Sequence, residues 1–270
     1  MPDLQILALV RFAYPGLGAF QTVHDTVAQR EAHLWAPNRM DARMRTLEHV
    51  CLRTLRQQID PDFRTLIVTG DGLPEPWRSR LMALSEDLSG AEVIFQRPMN
   101  QRDAMAEIVH ARLRAPGPPT VQFRQDDDDG VARDFVARLR ETVTDILPFW
   151  RNHGKMVIDY THGMMLRLTP EGPIVEEAVR PHLGVAQALV LRAGTKRTAL
   201  HFPHHKLGRT MPALTFPEPR MWLRGVDGTN DSHMPDALGR LRPATAAQVE
   251  ELETRFGLDL PAIANSFAPG

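Results

Sequence analysis

Short apolar runs and helix-spaced apolar stripes alternate along the first half of this chain. Residues 4–12 (LQILALVRF) form a continuous apolar run of buried-strand length. After a loop with Pro15, Gly16 and Gly18, residues 40–58 place Met44, Leu47, Val50, Cys51 and Leu55 at helical spacing. Asp60-Pro61-Asp62 breaks that pattern, and residues 63–69 (FRTLIVT) read as a second strand closed by Gly70-Asp71-Gly72. A helix over 76–88, a strand over 91–97 (AEVIFQR) and a helix over 103–113 follow, ended by Ala115-Pro116-Gly117-Pro118-Pro119. Residues 120–124 are the fourth strand and 131–147 the next helix. Strands and helices alternating over short connections predict βαβ units and a mostly parallel sheet covered on both faces.

The second half has a different rhythm. Residues 155–169 (KMVIDYTHGMMLRLT) read as a hairpin turning near Thr161-His162-Gly163, and 185–193 (VAQALVLRA) as a further strand. Residues 198–211 are a histidine-rich short helix or loop, 214–230 are broken by Pro217, Pro219, Gly225 and Gly228, and 244–256 are a terminal helix. This predicts a mixed sheet with loops joined to the first half in one domain over 1–270, with a soft boundary near residue 150.

Composition narrows the function classes. With 270 residues, 43% of them hydrophobic, the chain can bury a full core. A net charge of −1 gives no support for nucleic-acid binding. The single cysteine, Cys51, excludes an internal disulfide framework and a cysteine-based zinc site. The N-terminus lacks a signal-peptide pattern and no stretch has the length of a membrane span. The expectation is a cytoplasmic protein, with peripheral membrane contact left open.

The chemistry concentrates where the fourth strand ends. Asp126, Asp127, Asp128 and Asp129 follow it directly, at the edge where open α/β sheets bind ligands. Clustered carboxylates repel unless a cation or proton compensates them, and Mg²⁺ or Mn²⁺ commonly bridges such oxygens to substrate phosphates. A solvated acidic loop or helix start is the plain alternative. If extension persists, alternation turns Asp126 and Asp128 the same way. Arg11, Asp71 and Arg97 end the other three strands, so four successive strand ends deliver polar groups to one rim, where Arg97 suits a phosphate or one of the acids. Further along, Arg224 suits a phosphate, Asp227 or Asp231 a general base, and His233 a third metal ligand; an ordinary Gly/Asn/Asp turn is the alternative there. His201, His204 and His205 read as a surface cluster, and Glu176 and Glu177 as alternative bases or a solvated pair. No GxxxxGK[ST], GxGxxG or GxSxG motif is present.

With these residues in view the chain resembles the GT-A type of glycosyltransferase, and more narrowly the bacterial rhamnosyl transferase family. The resemblance is carried by Arg11-Phe12, Gly-Ala-Phe-Gln at 18–21, Asp60-Pro61-Asp62-Phe63, Gly70-Asp71, the segment 122–129 (QFRQDDDD) and the run from Arg224-Gly225 to Asn230-Asp231-Ser232. It implies a GT-A-like fold: a mostly parallel, nucleotide-sugar-binding half over 1–150 continuing into a mixed-sheet acceptor half over 151–270. It also implies an Asp-x-Asp unit after the fourth strand that holds a divalent metal and the donor's ribose or diphosphate, a role falling on Asp126 and Asp128 with Asp129 beside them. Asp71, Arg97 and Asn100 resemble donor-contacting positions. The expected activity is transfer of a sugar, rhamnose by the family's label, from a nucleotide-sugar donor to a glycan, lipid-linked or protein acceptor, with Mn²⁺ or Mg²⁺. A nucleotidyl- or phosphotransferase would use the same acids, but residues 14–20 lack the lysine its loop requires. A non-catalytic metal-binding or ligand-binding protein of the same fold would bind ions without nucleotides.

Overall fold

The computed structural model describes residues 3–18, 25–226 and 239–267. Seven strands form the large sheet: β1 (Gln5–Arg11), β2 (Arg64–Gly70), β3 (Ala91–Gln96), β4 (Thr120–Asp126), β6 (Lys155–Tyr160), β9 (Gln187–Leu191) and β10 (Ala213–Phe216). Their order is β10-β6-β9-β4-β1-β2-β3, and β9 alone runs against its neighbours. A five-stranded mixed sheet packs beside it, ordered β12-β8-β7-β11-β5, from β5 (Gly130–Val131), β7 (His162–Thr169), β8 (Gly172–Val179), β11 (Trp222–Gly225) and β12 (Arg242–Pro243). This is the expected α/β class, a mostly parallel sheet continuing into a mixed one.

Alternation sorts the side chains of β1 into two apolar layers. Ile6, Ala8 and Val10 join Phe123, Phe135, Tyr160 and Trp222 in one cluster that also takes in the second sheet. Leu7 and Leu9 join Leu66, Val68 and the buried stripe Met105, Ile108 and Val109 of the helix Gln101–His110 on the opposite face. Burying both faces explains why the first strands read as continuous apolar runs. The helix Phe135–His153 crosses the first layer, its Phe135 ring edge-on to Phe123 at 5.0 Å and to Tyr160 at 5.8 Å. Gly154 ends it in the left-handed region at φ 71°, as a C-terminal glycine does. Residue 150 lies inside this helix, where Trp150 Nε1 donates to the Val190 carbonyl.

The helical pattern of 40–58 is one continuous helix interrupted in the middle. Pro37–Thr46 opens with proline in its first turn, Leu47–Leu52 is π-helical, and Arg53–Arg56 resumes the α form. The Cys51 carbonyl in the π segment accepts a hydrogen bond from Gln125 Nε2 at 3.3 Å, which fastens the helix to β4.

The expected hairpin over 155–169 is not formed. β6 pairs with β9 and β10 in the large sheet, whereas β7 pairs with β8 and β11 in the other. The chain changes sheets at Thr161, whose N–H donates to the Phe216 carbonyl at 2.9 Å. The hairpin is β7–β8, closing where Thr169 faces Gly172. The helix expected from residue 131 begins at Phe135, because Gly130 and Val131 are taken up in pairing with β11. No helix among the described residues is long and apolar enough to cross a membrane.

Candidate active site

Arg11 and Asp126 are register partners on adjacent parallel strands, so their side chains leave the sheet together. Arg11 Nη2 donates to Asp126 Oδ1 at 2.8 Å. Strand geometry stops there. The Asp129 N–H donates to the Asp126 carbonyl at 3.0 Å, closing a tight turn that Gln125 Nε2 braces through the Asp129 carbonyl at 2.9 Å.

Because the backbone turns, Asp126 and Asp128 do not share a direction, contrary to the alternation expected. Asp127 and Asp128 turn toward the helix Pro37–Thr46, where Arg43 pairs with both, at 3.0 Å from Nε to Asp127 Oδ2 and 3.2 Å from Nη1 to Asp128 Oδ2. Asp129 meets Arg224 Nη1 at 3.0 Å, and the same nitrogen lies 3.6 Å from Asp126 Oδ2. Pairing of β11 with β5 sets Leu223 against Gly130, so the continued register brings Arg224 to Asp129 and Gly225 to Asp128. A Cβ at Gly225 would lie 2.5 Å from Asp128 Cβ. Asp127, Asp128 and Asp129 are buried, so the solvated acidic loop is excluded. Asp126 keeps 25% of its side chain open.

This packing divides the acids electrostatically. Burial works to raise the Asp126 carboxyl, but Arg11, Arg224 and Arg124 outweigh it and hold Asp126 well below the carboxylate range. Asp129 is pushed up to about 8 by burial, with Asp128 and Asp126 adding to the rise and Arg224 opposing it. Asp129 raises the pKa of Arg224 in turn, against burial. Burial and the nearby acids lift the Cys51 thiol well above its ordinary range, leaving it an inert core group.

The remaining rim residues lie toward β2 and β3. Asp71 is exposed, its N–H bonded to the Gln96 carbonyl at 3.2 Å. Arg97 is exposed too, and its carbonyl accepts the Tyr14 hydroxyl at 2.9 Å. Asn100 caps the helix Gln101–His110, its Oδ1 accepting from Arg102 N at 3.0 Å. The loop after β1 is stitched to this segment by Leu17 N–H to the Met99 carbonyl and Gln101 N–H to the Leu17 carbonyl. The structure therefore brings Arg11, Asp126, Asp129 and Arg224 into contact and lines Asp71, Arg97 and Asn100 along the same edge. Among the described residues, no hydrogen bond or ion pair joins the Asp71 or Arg97 side chain to the acids. Asp227, Asp231 and His233 lie outside the described residues, and so does much of the run at 18–21.

Several residues at the site carry no weight in the sequence reading. Arg43 is an arginine on a buried stripe with Met40 and Met44, a placement that itself signals an acidic partner. Beyond β4, Asp159 on β6 is 1% exposed and accepts from His182 N at 2.8 Å and Gln187 Nε2 at 3.0 Å, its pKa raised by burial. This pins the segment entering β9 beside Arg124. His204 Nδ1 donates to the His182 carbonyl at 2.7 Å, and burial with Arg124 lowers its pKa to about 4, so the ring stays neutral. His201 serves locally, accepting from Thr198 N. Glu177 is engaged by His162 at 2.9 Å and Arg220 at 2.7 Å.

Among the described residues, no group of three or more His, Cys, Asp or Glu side chains is placed to hold a metal ion. Three of the four aspartates are turned inward on arginines, so the described residues alone are a poor fit for a divalent ion.

The family model described as "Putative rhamnosyl transferase" matches residues 5–237, and the chain belongs to that family. No curated protein matches the chain. Among solved structures it is similar to S. aureus TarS 1-349, with 8% identity and a TM-score of 0.42, covering 82% of this chain and 60% of that one. The same fragment in complex with UDP-GlcNAc gives 9% identity and a TM-score of 0.42, covering 85% and 62%. The chain thus spans about three fifths of the TarS fragment, and superpositions this loose carry no functional inference.

Proposed function

We propose that this protein is a glycosyltransferase that binds a nucleotide-sugar donor along the carboxyl rim of its parallel strands and passes the sugar to an acceptor hydroxyl. The observation that carries the reading is Asp126, an ionised, partly open carboxylate flanked by Arg11 and Arg224 where β1 and β4 end. Asp126 is suited to the hydroxyls of the donor's ribose or sugar, with Asp71, Arg97 and Asn100 extending the contact along the rim. In the reaction the acceptor oxygen bonds to the anomeric carbon, the bond from that carbon to the diphosphate oxygen breaks, and the diphosphate leaves with the electron pair. The acceptor's proton passes to a base, a role the sequence offers to Asp227 or Asp231.

The family description supports a transferase and names rhamnose. No residue at the rim distinguishes a deoxysugar. A glycan, lipid-linked or protein acceptor and a cytoplasmic site of action remain part of the proposal. Mn²⁺ or Mg²⁺, if used, would engage Asp126 first among the described carboxylates, and no step here is drawn through the ion. Thermal shift with UDP, GDP, dTDP and CDP, each with Mn²⁺ and with EDTA, tests the reading, because a ligand of the native state raises its melting temperature. One nucleotide is expected to stabilise the wild type; Asp126→Asn should abolish that shift, and its ligand-free melt should fall because the charge pairing with Arg11 and Arg224 is lost. If no nucleotide shifts the wild type under either condition, the donor reading is wrong.

A further inference from the structure

Arg124 stands two residues before Asp126 on β4, on the same face and in register with Leu9 of β1. The other arginines of the site are matched to acids: Arg11 to Asp126, Arg43 to Asp127 and Asp128, and Arg224 to Asp129. Arg124 is part-buried and, among the described residues, makes no hydrogen bond or ion pair. Burial lowers its pKa; Asp126 and Asp129 oppose this, and Arg11 and Arg224 add to it. A part-buried guanidinium that makes no hydrogen bond among the described residues carries a burial cost that the attraction of Asp126 and Asp129 does not offset.

Its guanidinium packs against a glycine. Gly184 sits at φ +102°, and a Cβ there would lie 2.7 Å from Arg124 Nη2 and 3.2 Å from His204 Cγ. Any other residue at 184 would fill the space beside the guanidinium. The bond from His204 Nδ1 to the His182 carbonyl keeps that ring in place as a neutral wall. Asp159 fixes the same segment from below, through His182 N and Gln187 Nε2.

We propose that Arg124 is an anion-binding residue that receives the phosphate oxygens of a diphosphate, with Arg224 beside it, its guanidinium set by the close approach of Gly184 and by His204. Guanidinium suits this ligand because its planar fork meets two phosphate oxygens at once and it stays charged where an ammonium would lose its proton. The inference rests on the donor reading for the identity of the diphosphate, as that of a nucleotide sugar. It adds a specific cation that meets the leaving group without a metal.

Calorimetric titration in EDTA tests it, with inorganic pyrophosphate, UDP and uridine as probes against wild type, Arg124→Met and Arg124→Lys. Wild type is expected to bind pyrophosphate and UDP. Arg124→Met should weaken both at least about tenfold and leave any uridine binding unchanged, while Arg124→Lys recovers part of the affinity. The ligand-free melting temperature of Arg124→Met should equal or exceed that of wild type, since burial and repulsion from Arg11 and Arg224 outweigh the attraction of Asp126 and Asp129 for its charge. Equal pyrophosphate affinity in Arg124→Met and wild type would overturn the proposal. So would a wild type that ignores pyrophosphate in EDTA, or an Arg124→Met that melts lower, which would make Arg124 a structural residue. Nucleotide-sugar turnover with Arg124→Met unimpaired in binding would sink this inference and leave the donor reading standing. Pyrophosphate binding that depends on Arg124, without turnover of any nucleotide sugar, would do the reverse.

Discussion

Replacing Arg43 by methionine keeps much of the side chain's packing and removes its charge. The Arg43 side chain is 8% exposed, facing Asp127 at 5% and Asp128 at 2%. Deleting one partner of a buried ion pair costs roughly 3–5 kcal/mol, because the other charge stays buried and unpaired. An exposed pair would cost about 0.2–1 kcal/mol, so the two environments are readily told apart. Urea unfolding followed by circular dichroism should show a midpoint lowered by about 1 M or more with an unchanged slope. Adding Asp127→Asn to Arg43→Met should recover part of the loss, since the pair is coupled. A loss below about 1 kcal/mol would refute the claim that the acidic turn is held by a buried arginine.

Asp129 holds its proton up to about 8 in the fold and releases it near the ordinary carboxylate range when unfolded. Its contribution is thus complete at low pH and lost as pH rises through that window. Asp129→Asn should flatten this slope and be more stable than wild type above about pH 8, and urea midpoints that keep the wild-type slope would count against it. Gly225→Ala forces a Cβ to within 2.6 Å of the Asp128 carbonyl oxygen, a backbone atom that cannot swing aside. It should cost about 1–3 kcal/mol, and an unchanged thermal melt would contradict that packing. His204, lowered to about 4, should show the neutral Nδ1–H tautomer by nitrogen NMR well below its ordinary range, and Arg124→Met should raise its pKa. The fold binds fewer protons there than the unfolded chain, so this histidine's contribution is lost as pH falls below about 6.5. Titration near the ordinary histidine value would refute its burial against Arg124.

The parallel half was legible because β1, β2 and β4 are buried on both faces and their helices carry an apolar stripe, as at residues 4–12 and 101–110. Strand partners were not. Residues 155–169 alternate like a hairpin, yet alternation reports that a segment is extended and says nothing of which strand lies beside it, so the crossing between sheets at Thr161 left no local mark. The acidic run was placed at the right edge, but the directions of its side chains depend on a turn. That turn is imposed by the pairing of Gly130 with Leu223, a contact 93 residues distant along the chain. Arg43 and Arg124 were legible in principle, one as a charge on a buried stripe and the other as the cation nearest the acids on the same face of β4.

The π-helical stretch Leu47–Leu52 acts as a phase shifter between two parts of one helix. Residues before it aim Arg43 at the acidic turn, and residues after it present Thr54 and Gln58 to the strand and helix that follow that turn. Winding the same six residues as regular α-helix would rotate one part against the other by about 100°. Only one of the two attachments could then survive. The winding of this segment sets the aim of Arg43, so regularising it at constant length would disarm the acidic turn without touching any aspartate.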